Sequence, residues 1–238
     1  MIQTVTFDLW NTIFANEYYS NSRLNYFIQF LAKNQISFSP NELKDSFNSA
    51  FQLSDINLEE IDCRHIYTRD RILDILNSLK INLSKLQIKR IENSFEKIML
   101  KNPPHLKIGV NETLRELSED YNIGLISNTG ITPGHIIKKI FKRYDIEKYF
   151  QQTLFSDETG FYKPSPVMFN TILRHFNCKP QNAIHIGDIL ETDIKGAKNC
   201  NMLTIWINDS DSPKSKEIHP DYEIQQIYEA VEIIKRIV

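Results

Sequence analysis

Between about residues 105 and 210 the chain alternates helix-patterned and strand-patterned segments, and this alternation restricts the fold more than any other feature. "NETLRELSED", "GHIIKKIFKRY", "SPVMFNTILRHF" and "DIKGAKNC" set apolar residues three and four apart, as amphipathic helices require. Between them stand "IGLIS", "QTLFS", "AIHIG" and "LTIWI", short apolar runs that read as buried strands. A helix that follows one strand and leads into a parallel neighbour packs back onto the sheet. The pattern therefore predicts an α/β core, a parallel sheet with helices on both faces.

The first residues fit the same sheet. Ile2 to Leu9 is rich in β-branched side chains and stops at "WNT", which predicts a short buried strand that ends at Asp8. From about residue 18 to residue 100 the texture changes. "RLNYFIQFLAKN", "SPNELKDSFNSAF", "RDRILDILNSL" and "SKLQIKRIENSFEKIML" each carry a helical period, with no strand between them. Ser39-Pro40 and Ser84 are helix starts, with Ser at the cap and Pro in the first turn. The simplest architecture has residues 1–14 and 101–238 as the core and residues 15–100 as a helical cap inserted after the first strand.

Composition excludes several classes. Twenty-eight basic side chains stand against 30 acidic ones with no basic block, so a nucleic-acid partner is not expected. Cys63, Cys178 and Cys200 are scattered and lack metal-ligand spacing, which argues against disulfides or structural zinc and for reduced thiols. The apolar start is broken by Asp8 and has no basic leader, and no stretch reaches membrane-spanning length. A soluble, cytoplasmic protein is expected.

Ligands of an open parallel sheet bind beyond the carboxyl ends of its strands. The residues there are Asp8, Ser127 with Asn128, Lys163 on a later loop, and Asp188 with Asp193 five positions on. Asp8 with Thr12, "LISNTG", "GFYKPSP" and "IHIGDILETD", in that order, resemble the four motifs of the haloacid dehalogenase-like (HAD) hydrolase superfamily. The resemblance covers residues 1–13 and roughly 105–210 and implies a Rossmann-like core. Only placement and helical character match in the insertion.

A carboxylate can attack a phosphoryl group and form an aspartyl phosphate that water then cleaves. Asp8 fits that nucleophile. Two anions must be held together, so a divalent cation with oxygen ligands is required. The resemblance implies Mg2+ bound by Asp8, Asp188 and the backbone carbonyl of Trp10. It also implies that Lys163 compensates the nucleophile's charge and that Ser127 donates a hydrogen bond to the phosphoryl oxygens. Thr12, Asn128 and Trp10 are expected at the substrate, and Asp193 is expected to orient Lys163 or support the metal.

Trp10 is the departure. Most phosphatases of the superfamily carry an aspartate two residues after the nucleophile to protonate the leaving group, and indole cannot do this. The superfamily's 2-haloacid dehalogenases also place an aromatic residue there. However, they work without metal and replace the acid corresponding to Asp188. Three readings stand: a Mg2+-dependent phosphatase of a small phosphorylated metabolite, which the intact "GD" favours; a 2-haloacid dehalogenase; and a non-catalytic relative that binds a ligand or protein.

Plainer roles exist for each residue. Ser127 or Asp193 can cap a following helix. His185, inside an apolar strand, reads as a satisfied core residue. Arg64 and Arg69 in "CRHIYTRDR" read as a solvated helix face or as contacts to a substrate anion.

Overall fold

The computed structural model describes residues 1–17, 19–51, 62–210 and 213–237. Residues 18 and 52–61 of the expected cap lie outside the described residues. The chain opens with strand β1, Thr4–Phe7, and passes directly into four helices. These are α1 (Ser20–Lys33), α2 (Pro40–Phe51), α3 (Thr68–Ser78) and α4 (Lys85–Lys97). Ser84 caps α4 as expected: its hydroxyl accepts from the Gln87 amide at 3.3 Å, and the Gln87 side chain accepts from the Ser84 amide at 2.9 Å.

The alternating region follows: α5 (Val110–Ser118), β2 (Asn122–Ser127), α6 (Gly134–Arg143), β3 (Gln152–Phe155), the single turn α7 (Ser156–Thr159) and α8 (Pro166–His175). It continues with β4 (Ala183–Gly187), α9 (Lys195–Asn199) and β5 (Leu203–Ile207). The single turn α7 was not expected, nor were the edge strand β6 (Tyr222–Ile224) and helix α10 (Glu229–Arg236). All six strands run parallel in the order β3-β2-β1-β4-β5-β6.

Strand alternation divides the core in two. Val5, Phe7, Ile123, Leu125, Ile184 and Ile186 pack with Leu114, Ile140, Phe141, Ala230 and Ile234 from α5, α6 and α10. Ile126 and Ala183 pack with Met168, Phe169, Ile172 and Ala197 from α8 and α9. The sheet is thus covered on both faces, which is why its strands read as apolar runs.

The four inserted helices have a separate apolar cluster, with Phe27, Leu31, Phe47, Ile72, Ile91 and Phe95 among its buried members. The segments entering and leaving the insertion pair with each other: Ala15 N–H donates to the His105 carbonyl at 2.9 Å and Lys107 N–H to that of Ile13 at 3.0 Å. A second junction lies beside the loop that carries Lys163. There His65 N–H donates to the Gly160 carbonyl at 2.9 Å and Tyr162 N–H to that of Cys63 at 2.6 Å.

Candidate active site

With this strand order the crevice opens where the direction of winding reverses, between β1 and β4. Asp8 directly follows β1, Asp188 follows β4 and Ser127 ends β2. Asp8 N–H still donates to the Ile186 carbonyl at 2.8 Å, which fixes the backbone of Asp8 at the β1–β4 junction.

Lys163 lies at the centre with its side chain 1% exposed. Its ammonium donates to Asp8 Oδ1 at 2.5 Å and to the Ile126 carbonyl at 2.7 Å, and it forms an ion pair with Asp193 Oδ1 at 2.6 Å. Asn128 holds the lysine's backbone from both sides. Its Oδ1 accepts from Lys163 N–H at 2.6 Å, and its Nδ2 donates to the Lys163 carbonyl at 3.1 Å. Asn128, expected at the substrate, is thus found supporting the lysine loop.

Asp193 does not cap a helix. It sits in a π-helical turn, Leu190–Ile194, and its Oδ2 accepts from Ile189 N–H at 3.0 Å. Gly187 makes room for it: a Cβ there would lie 2.5 Å from Asp193 Cγ. His185 is buried as expected, with Nδ1 2.9 Å from Thr6 Oγ1 and its ring edge-on to Phe169. Its Nε2 lies 3.5 Å from Asp193 Oδ1, so this core residue also backs the lysine's partner.

The charges do not balance within the protein. Asp8, Asp188 and Asp193 each bring a carboxylate oxygen within 4.8 Å of the others, against the one ammonium. Burial, partly offset by Lys163, pushes Asp8 up to about 8, with Asp193 and Asp188 adding repulsion. Burial and then Asp193 push Asp188 up to about 6. Burial opposes the charges of Lys163 and Asp193 as well, but their mutual attraction outweighs it. Lys163 is held above its ordinary value and Asp193 below the ordinary carboxylate range. One ammonium thus stands against three carboxylates, and the raised values of Asp8 and Asp188 mark a site short of positive charge. Each commits one oxygen to a side chain, Lys163 and Asn11 respectively, and keeps a second. Two such hard oxygen donors fit a divalent cation of the magnesium type.

Thr12 and Ser127 are fully buried, and neither hydroxyl finds a hydrogen-bond partner among the described residues. Thr4 and Thr113 share this feature away from the crevice, so it is the place of Ser127 at the end of β2 that suits its hydroxyl to an oxyanion. Trp10 is half-buried and leans on the apolar core beside Phe14, with ring centroids 6.5 Å apart. Arg64 and Arg69 are exposed, with Arg64 over the Phe161 ring at 5.6 Å, in keeping with the solvated alternative. Cys178 and Cys200 are buried thiols.

Two contributors were not anticipated. Trp206 Nε1 donates to the Asp188 carbonyl at 2.8 Å, and Asn11 Nδ2 donates to Asp188 Oδ2 at 3.0 Å. Asn11 adopts a left-handed φ of 56°. An Asn in a turn directly after the strand that ends at Asp8 was the available signal, since Asn tolerates that conformation better than most residues.

A family model of haloacid dehalogenase-like hydrolases matches residues 7–207, a span that holds every motif residue described above. The chain belongs to this family. Among curated relatives, a glyceraldehyde 3-phosphate phosphatase of Pyrococcus furiosus is 34% identical over 134 residues, 54% of each chain. The chain spans about half the length of the curated relatives it matches. Among solved HAD folds, a 2-haloacid dehalogenase of Pseudomonas syringae superposes with a TM-score of 0.75 over 100% of both chains at 22% identity. A magnesium-bound HAD hydrolase of Bacillus subtilis, which shows interdomain movement, superposes with a TM-score of 0.63 over 98% of both chains at 20% identity. At such identities these two likenesses speak to the fold. No helix among the described residues is long and apolar enough to cross a membrane.

Proposed function

We propose that this HAD hydrolase is a magnesium-dependent phosphatase of a small phosphorylated metabolite and works through an aspartyl phosphate on Asp8. The observation that carries the reading is the buried cluster at the strand switch, three carboxylates around one ammonium. Bound magnesium, held by Asp8, Asp188 and the Trp10 carbonyl, would neutralise the charge of the two reacting anions. Asp8 attacks phosphorus, and the bond to the leaving oxygen breaks. Lys163, oriented by Asp193 and by the backbone clamp of Asn128, offsets the negative charge on Asp8 and on the phosphoryl oxygens. The Ser127 and Thr12 hydroxyls donate to those oxygens. Water then cleaves the acyl phosphate and regenerates Asp8.

Trp10 cannot protonate a leaving alkoxide, so the reading favours substrates whose leaving group needs little proton help, such as acyl phosphates. The kinship to named phosphatases supports a small phosphorylated substrate. In this reading residues 15–100 act as a cap over the strand ends of the 1–14 and 101–238 core, excluding water and selecting substrate. Buried thiols favour a reducing compartment, the cytoplasm.

Trp10 favours a second reading, a 2-haloacid dehalogenase, because a halide leaves without a proton. Asp188 weighs against it. The Trp10→Asp variant separates the two. Phosphate release from an alkyl phosphate ester such as glycerol 3-phosphate, whose alkoxide needs a proton to leave, is expected with magnesium present to rise by ~10²–10⁴-fold over wild type. No gain, together with chelator-insensitive chloride release from chloroacetate by the wild type, would sink the phosphatase reading.

A further inference from the structure

We infer that Asn11 is a positioning residue that ties the metal acid Asp188 to the linker leading into the helical insertion; this rests on the metal reading proposed above. One amide side chain serves two partners. Its Nδ2 donates to Asp188 Oδ2 at 3.0 Å, and its Oδ1 accepts from Asn16 N–H at 3.2 Å. Asp188 belongs to the end of β4 and lies 177 positions away, whereas Asn16 belongs to the segment that enters the insertion.

The residue type is required by both tasks and by the backbone. An amide carries donor and acceptor on one planar group, whereas an aspartate would offer no donor to Asp188 and would add like charge. A φ of 56° disfavours most residues with a Cβ and is tolerated by Asn. Asn11 N–H also closes the turn onto the Phe14 carbonyl at 2.7 Å, so the side chain projects from a fixed base. The linker is fixed in turn by its pairing with the outgoing segment, through Ala15 with His105 and the Phe14–Leu106 bridge.

Asn11 therefore occupies one oxygen of Asp188 and holds that carboxylate in a single orientation, with its second oxygen left for the cation. Partners of this kind commonly set metal affinity almost as strongly as the ligands do. Because the same amide holds Asn16, ion binding at Asp188 and order in the linker bias each other, as linkage requires. The metal site thereby reports to the hinge of the insertion.

The full chain with Asn11→Gly tests this, because Gly suits the left-handed backbone and removes only the side chain. Melting in chelator should match or exceed wild type, and the magnesium Kd by calorimetry should rise about 10–100-fold. In the wild type, magnesium should slow hydrogen exchange across Ala15 to Glu17, and the variant should lose that protection. A variant Kd within twofold of wild type overturns the inference while the metal reading stands. Linker exchange that ignores magnesium in the wild type overturns the coupling. Wild-type protein that binds no magnesium overturns the metal reading and this inference with it.

Discussion

Replacing Lys163 by Met keeps most of the side-chain volume and removes the one ammonium between Asp8 and Asp193. The Lys163–Asp193 pair is 1% exposed on both sides, so solvent cannot take over the lost charge. Removing one partner of a buried ion pair costs about 3–5 kcal/mol. For a chain of this size each kcal/mol shifts Tm by roughly 2–4 °C, so the variant should melt roughly 6–20 °C lower near pH 7.5. The deficit must also depend on pH. In the wild type Asp193 is held below its ordinary value of 3.8, so its stabilisation is present above 3.8 and is lost as pH falls through the lower folded value. Without the ammonium, burial pushes Asp193 up instead. The folded variant then takes up a proton that the unfolded chain releases, and it gains stability as pH falls. The gap in Tm should therefore narrow from pH 7.5 to pH 5, and adding Asp193→Asn should recover at least about half of it. Thermal melts and urea titrations read both effects. A gap below about 2 °C, or one that does not change with pH, would refute the assignment of Lys163 as the counter-charge of this cluster.

Ser127→Ala removes a buried hydroxyl without a protein partner. Its stability should stay within about 0.5 kcal/mol of wild type, while kcat falls by ~10²–10³ as for a lost oxyanion donor; the opposite split assigns Ser127 to structure. The metal-free protein should lose stability as pH rises from 6.5 to 8.5. Asp8 binds a proton in the folded state up to about 8 and releases it near 3.8 when unfolded. His65 and His185, held neutral by burial, oppose this slope only below 6.5. Urea midpoints across that range should flatten with saturating magnesium or with Asp8→Asn, and an unchanged slope in both would remove Asp8 as its source.

The residues that the fold gathers at the strand ends were more legible in the sequence than some elements around them, for physical reasons. Strands β4 and β5 were legible to the residue because burial on both faces leaves a predominantly apolar run, broken only by the buried His185 and Thr204, and the side chains at strand ends follow from that. Strand β6 left no such trace: it is three residues long, on the sheet edge, with Tyr222 and Glu223 exposed. Helix α10 does carry an amphipathic signal, Ala230 and Ile234 four apart, beyond the last strand drawn from the sequence. The π-helical turn holding Asp193 has no periodic signature, since a single widened turn does not shift the pattern of its neighbours. Contacts across long separations were the least legible. The Asn128 clamp on Lys163 spans 35 positions and the Asn11–Asp188 bond spans 177, and neither residue type announces its partner.

The central claim, a phosphoryl group carried covalently on Asp8, is tested most directly by acid-quenching the protein during turnover of acetyl phosphate with magnesium, reducing with borohydride and sequencing the peptides by mass spectrometry. An acyl phosphate on Asp8 is reduced to homoserine, so the account predicts homoserine at position 8, absent when magnesium is withheld and absent in Asp8→Asn. Phosphate release with no modification at position 8, or with the modification on another carboxylate, would contradict it.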